Sequence, residues 1–261
     1  EQLYTGGTWP RVTRVKNTLA EVWEDIETWI DTVEQIYFAG GEPLIMDEHY
    51  KILEYLIANN KTDIGISYNT NMSTLVYKKH NVIDLWKHFK NIRIDASLDG
   101  YGKHAEYIRA GTDWNQVEKN IEYIRSNCVN ITFSISCTVS VYNAFHITDF
   151  FKYCIDKKFV DYPDNIAINI VQFPELLNTQ VLPMHLKNQV IKKVNKYIHN
   201  DMPTYKSSVL KNNLDMYKNY LLERNINKFD EFIGWTAKLD GIRNENVDNI
   251  LPEIKALTDD R

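Results

Sequence analysis

The sequence predicts an α/β fold: a partial (β/α)6, TIM-like barrel missing its first strand, with a C-terminal helical extension. Three observations lead there. Five apolar runs of strand length alternate with segments of helical periodicity, the pattern of parallel strands joined by right-handed crossovers. The first helical segment, from Thr18, has no strand before it. After Pro183 no strand signal remains, and three helical segments follow. The expected division is an irregular segment over 1–17, the barrel over 18–182 and the extension over 183–261.

Residues 1–17 are polar, with Gly6, Gly7 and Pro10 as breakers. Arg11, Arg14 and Lys16 lie near Trp9 and read as a solvated basic loop, contact with an anionic ligand being the alternative. From Thr18, the residues Leu19, Val22, Trp23, Ile26, Trp29, Ile30 and Val33 fall on one helical face. Thr18 with Glu21 has the form of a capping box, and Trp23 and Trp29 are expected in the core. Ile36–Ala39 is a short buried strand that stops at Gly40-Gly41-Glu42-Pro43. The two glycines permit unusual backbone angles and let a ligand approach the main chain. Pro43 biases Glu42 toward an extended conformation. A helix follows over Met46–Asn59. Ile64–Tyr68 is a second strand, ending in Asn69-Thr70-Asn71, and Val82, Leu85, Trp86 and Phe89 form a helical face. Ile92–Leu98 is a third strand, ending in Ser97-Leu98-Asp99-Gly100, with a helix over Trp114–Arg125. Ile131–Val139 is a fourth, followed by Tyr142-Asn143 and a helix over Ile147–Lys157. Ile166–Gln172 is a fifth, closed by Phe173-Pro174. Met184–His199, Ser207–Arg224 and Lys228–Leu239 form the extension. The polar turns follow strands, so they should gather on the edge where α/β proteins bind ligands.

Composition narrows the function. With 44% hydrophobic and 25% charged residues, the 261-residue chain has the balance of a soluble globular protein. A net charge of -5 argues against a nonspecific nucleic-acid binder. No apolar run reaches membrane-spanning length and no signal peptide is visible, so the expected compartment is the cytoplasm, with no membrane partner. The chain starts at Glu1 rather than a methionine and is expected to be a fragment. Cys128, Cys137 and Cys154 fit no metal or cluster spacing and read as free thiols, the last two buried. None of the seven histidines is paired at the spacing of a zinc helix. His104, beside the Asp99 turn, is the one candidate proton carrier, a surface role being the alternative.

Gly40-Gly41-Glu42-Pro43 at a strand end resembles the GGEP motif of the radical S-adenosylmethionine (SAM) enzymes. The resemblance implies that the Gly40 and Gly41 backbone and Glu42 hold the amine of SAM's methionine moiety, since carbonyls and a carboxylate suit an ammonium group. Thr70 and Asn71 resemble a family turn that faces SAM or substrate, with turn propensity as the alternative. Ser97 and Asp99, in Ser-Leu-Asp-Gly, resemble the segment that contacts the ribose or the methionine carboxylate; an ordinary Asp-Gly turn is the alternative. Arg109, with Ile108 and Gly111, resembles a segment that binds a carboxylate or braces its loop; a surface ion pair is the alternative. Ser136 and Thr138 alternate with Cys137, and their hydroxyls would meet SAM from the barrel interior. Val139 and the strand end at Gln172 would border adenine. The run from Trp235 through Asp240 to Arg243-Asn244, with Leu251-Pro252-Glu253, resembles the tail of members with a twitch domain; locking the last helices to the barrel is the alternative.

These resemblances imply a fragment of an enzyme that cleaves SAM to a 5′-deoxyadenosyl radical. The radical would abstract hydrogen from a peptide, protein or small-molecule substrate, with a donor such as flavodoxin or ferredoxin. The family's CxxxCxxC loop is absent from the 261 residues. A [4Fe-4S] cluster is therefore expected only in the complete protein, and this chain is expected to be inactive alone. The alternatives are a noncatalytic nucleoside- or protein-binding barrel, and an α/β-barrel enzyme using Asp99 and His104 as acid and base.

Overall fold

The computed structural model describes residues 30–255 together with Trp23, Ile26 and Thr28. Five strands form one parallel sheet in sequential order: β1 (Gln35–Phe38), β2 (Gly65–Thr70), β3 (Ile92–Ser97), β4 (Ile131–Val139) and β5 (Ile166–Ile170). The connections carry α1 (Asp47–Ala58), α2 (Val82–Trp86), α3 (Gly102–Ile108), α4 (Trp114–Asn127) and α5 (Ile147–Asp156). Because every strand runs the same way, the turns after them share one edge of the sheet. The extension contains α6 (Met184–Lys196), α7 (Ser208–Glu223), α8 (Phe229–Arg243) and the short α9 (Pro252–Lys255). No helix among the described residues is long and apolar enough to cross a membrane.

The register explains which face is core. It aligns Phe38 with Tyr68, Tyr68 with Ile94, Ile94 with Phe133, and Ile135 with Ile166. Alternation places these residues on one face. Tyr68, Ile94, Phe133, Ile135 and Ile166, together with Leu53, Trp86, Ile121 and Phe151, form the buried core, and the half-buried Phe38 packs against it. The first strand is therefore an edge strand with Tyr37 exposed, not the buried strand its apolar run suggests, because β2 covers only one of its sides. The opposite face carries Gln35, Tyr37, Ser67, Arg93, Asp95, Ser97, Thr132, Ser134, Ser136, Thr138 and Asn169. A parallel sheet covered on both faces reads as near-continuous apolar runs. The alternation in Ile92-Arg93-Ile94-Asp95-Ala96-Ser97 instead makes one apolar face and one polar face, as the wall of an open partial barrel requires.

Several boundaries shift from the sequence expectation. The second strand runs through Asn69 and Thr70, so the turn begins at Asn71. The third ends at Ser97 and the fifth at Ile170. α2 has only five residues, and Phe89 is buried beyond its end. α3 has no counterpart in the sequence expectation, which passes from Gly100 to the helix at Trp114. Gly102 and Gly111, both at positive φ, mark its start and the turn after it. A small hairpin pairing Val76–Tyr77 with His80–Asn81 is too short for its pattern to be visible. Ile26 and Ile30 are buried as expected, and Trp23 packs on Tyr55 at 5.4 Å. Trp29, the Thr18–Glu21 cap and residues 1–17 lie outside the described residues.

Candidate functional site

Glu42 joins the ends of β1 and β2. Gly40 and Gly41 adopt φ of 85° and 38°, which turns the chain sharply after β1. Glu42 is extended, as its following proline favours, and Pro43 opens a 3-10 turn over Pro43–Ile45. The Glu42 carboxylate then accepts three hydrogen bonds. Oε1 takes the Thr70 hydroxyl at 2.6 Å and the Leu44 amide at 3.2 Å, and Oε2 takes the Asn71 amide at 2.7 Å. The Asn71 side chain caps its own turn by accepting from Ser73 N, and Asn120 of α4 donates to the Met72 carbonyl at 2.8 Å. The turn is thus held from both sides.

A second clasp joins β3 and β4. Asp99 is 7% exposed. Its Oδ1 accepts the Thr138 amide at 2.7 Å, and its Oδ2 accepts Arg109 Nε at 2.7 Å. Asn143 Nδ2 donates to the carbonyls of both Asp99 and Thr138, while its Oδ1 accepts from Ser140 N. Arg109 therefore pairs with Asp99 and braces its loop. Thr70 is paired with Ala96 across β2 and β3, so the clasps are neighbours along one edge. Ser97 and Ser136 are register partners on the polar face, and Asn169 donates to the Ser136 hydroxyl at 2.9 Å. Val139 faces the core instead and is fully buried. Asn120 and Asn143 were missed in the sequence. Asn143 reads in the sequence only as a turn residue, and nothing in its local pattern shows that it bonds 44 residues back.

The edge has room for a ligand. An added Cβ at Gly40 or Gly41 would meet no atom within 4 Å. An ionised carboxylate offers about four acceptor positions, and three are taken at Glu42. The remaining position on Oε2, next to the open glycine backbone, suits one further donor such as an ammonium group. A cavity of about 300 Å³ lies over the ends of β3, β4 and β5, lined by Asp99, Thr138 and Val171 and by side chains of α8. On the polar face, Gln35, Tyr37, Ser67, Arg93 and Asp95 line a shallow depression. Arg93 and Asp95 pair with each other there, leaving that face without net charge.

The cysteines do not fit an iron–sulfur cluster. Cys137 and Cys154 are fully buried, and burial pushes all three thiols up, away from the thiolate that a metal needs. Among the described residues no three His, Cys, Asp or Glu side chains converge as a metal site. His104 is tied elsewhere. Its Nε2 donates to the Ile250 carbonyl at 2.8 Å and its ring lies 4.3 Å from that of His146. Burial, then His146, pushes it below the ordinary histidine range. With Asp99 held by Arg109, the acid–base pair of the third reading is already engaged in structural contacts.

The radical SAM superfamily model matches residues 4–154. No curated protein matches. Among solved structures, the chain is similar to Streptococcus suis SuiB bound to S-adenosylmethionine, at 20% identity and TM-score 0.47, covering 69% of this chain and 39% of that one. It is also similar to native anSMEcpe with bound AdoMet and Cp18Cys peptide, at 19% identity and TM-score 0.41, covering 74% and 49%. A domain of pyruvate-formate lyase-activating enzyme from Bacteroides vulgatus matches at 16% identity and TM-score 0.38, covering 62% and 93%. The chain spans less than half the length of the first two.

Proposed function

The chain belongs to the radical SAM superfamily, and we propose that its strand-end edge binds SAM within a longer enzyme that abstracts hydrogen from a peptide or small-metabolite substrate. The observation that carries this reading is the Glu42 clasp beside the open Gly40–Gly41 backbone. SAM, when bound and reductively cleaved, supplies a 5′-deoxyadenosyl radical; the residues of this chain bind and orient. Glu42 Oε2 and the Gly40–Gly41 backbone receive the methionine amine. Thr70 and Asn71 fix the carboxylate that does so. Ser97 and the Asp99 loop flank the ribose, with Arg109 holding the loop in place. Ser136, Thr138 and the polar sheet face meet the neutral, hydrogen-bonding parts of SAM and substrate. Among the described residues nothing fits a [4Fe-4S] cluster.

That same misfit favours a second reading, in which the edge binds a nucleoside-like ligand or a protein without redox chemistry. One experiment separates the two. The chain joined to its native upstream sequence is incubated anaerobically with iron, sulfide, SAM and a strong reductant, and 5′-deoxyadenosine is measured. Product that disappears in Glu42→Ala supports the enzyme. SAM binding with no product in any preparation supports the noncatalytic barrel.

A further inference from the structure

The C-terminal extension packs onto the barrel through α8, and its residues divide into two stripes. Phe232, Thr236 and Asp240, four residues apart, face the barrel. Phe232 and Thr236 are buried, Thr236 shares a hydrogen bond with the Tyr142 hydroxyl at 2.9 Å, and Asp240 accepts from the Tyr107 hydroxyl at 2.8 Å and from Val247 N at 2.8 Å. This stripe docks the helix. The neighbouring stripe, Trp235, Leu239 and Arg243, does something else: all three line the cavity over the ends of β3–β5. The barrel supplies the other walls, including Tyr142, Val171 and Leu177.

The character of this cavity is specific. Most of its lining is apolar, and Trp235 is 50% exposed at its wall. Its charged groups are already compensated. Asp99 is held by Arg109 and the Thr138 amide. Arg243 donates to the Tyr107 carbonyl at 3.1 Å and lies 3.7 Å from Glu245. A neutral occupant is therefore favoured over a charged one. A volume of about 300 Å³ is at the small end of ligand pockets, enough for one ring system rather than a whole drug-sized molecule.

We propose that the extension is part of the ligand site: Trp235, Leu239 and Arg243 form the wall of a pocket for one neutral, planar aromatic ring held beside the Asp99 clasp. This deepens the SAM reading and rests on it for the reaction the pocket would serve. The ring has two possible sources, the base of a nucleoside and an aromatic side chain of the substrate. Trp235 would stack on it, Leu239 would exclude water, and the braced Arg243 would close one end.

The test is direct binding to the folded 261-residue chain, followed by ligand-observed NMR, with adenosine as one probe and N-acetyl-L-tyrosinamide as the other. At least one probe should saturate. Trp235→Ala should weaken it about tenfold or more, as expected for removal of a stacking aromatic. Trp235→Phe should restore most of the affinity. The melting temperature should stay unchanged, because the docking stripe is untouched. Adenosine alone binding assigns the pocket to a nucleoside, and the tyrosine analogue alone assigns it to a substrate side chain. Saturation by neither, or affinity in both Trp235→Ala and Leu239→Ala equal to that of the parent chain, overturns the proposal. The 5′-deoxyadenosine measurement is separate: ring binding without SAM cleavage leaves the pocket standing and removes the enzyme reading, and cleavage without ring binding does the reverse.

Discussion

Removing the Glu42 carboxylate should destabilise the protein even with no ligand present. In Glu42→Ala the Thr70 hydroxyl, the Asn71 amide and the Leu44 amide all lose their acceptor. Thr70 is 2% exposed and Leu44 fully buried, so these donors have little access to water. A buried donor left unpaired costs about 1–3 kcal/mol. The Asn71 amide is only partly buried and can recover a water through the open edge, so the three losses do not add in full. The net cost should be about 2–4 kcal/mol. Glu42→Gln should cost less, because its amide oxygen can still accept from Thr70. It should not be neutral, because its NH2 would then face the Asn71 N–H, donor against donor. Urea unfolding of the 261-residue chain and both variants gives these values directly. A Glu42→Ala variant within about 0.5 kcal/mol of the parent, the range of an ordinary surface change, would refute the clasp.

Three other outcomes follow from the geometry. Asn143→Ala should lose about 2–4 kcal/mol, since its 1%-exposed side chain serves two carbonyls and one amide; Asn143→Asp should recover only the Ser140 bond, and unfolding curves would rank the three. Gly40→Ala should cost about 1–2 kcal/mol for its left-handed backbone. It should also weaken SAM binding further, because its methyl enters the open space of the edge; calorimetry separates the two effects. The last concerns pH. Burial alone would lower the His146 pKa, but the Asp149 and Glu253 carboxylates overcome it and raise the value. Burial opposes Glu253 ionisation, but His146 and Lys193 hold the carboxyl at about 2. The stability from Glu253 is present above its unfolded value and lost as pH falls toward about 2. That from His146 is present below pH 6.5 and lost as pH rises through its raised value. His104, which donates to the Ile250 carbonyl and is held below its ordinary value, works the other way: its contribution is present above pH 6.5 and lost as pH falls. Glu253 and His146 therefore favour the Ile250–Lys255 contact between about pH 4.5 and 6.5, with His104 weakening it toward the lower end, and Glu253→Gln should lower the His146 titration midpoint read by NMR.

The strands were legible because apolar residues, many of them β-branched, recur at alternate positions between turn residues, and Ile131–Val139 matches its expected bounds. The Gly-Gly-Glu-Pro turn was legible because two glycines and a proline leave few conformations open. Alternation also placed Ser136 and Thr138 opposite Cys137, and the register bears this out. What the sequence hid depends on partners far along the chain. Glu42 meets Asn71 across 29 residues and Asp99 meets the Thr138 amide across 39, and only the parallel register brings them together. α3 was hidden because seven residues opened by a glycine carry too little helical periodicity to read. The Trp235–Arg243 run was visible as a motif, but its division into a docking stripe and a cavity-lining stripe needed the barrel in place.

The most direct test of the account is an amide-resolved NMR titration of the folded chain with SAM. The account expects saturable shifts clustered at Gly40, Gly41, Asn71 and Leu98–Gly100, and their loss in Glu42→Ala variants that remain folded. Shifts confined to residues away from this edge, or none at millimolar SAM, would contradict it.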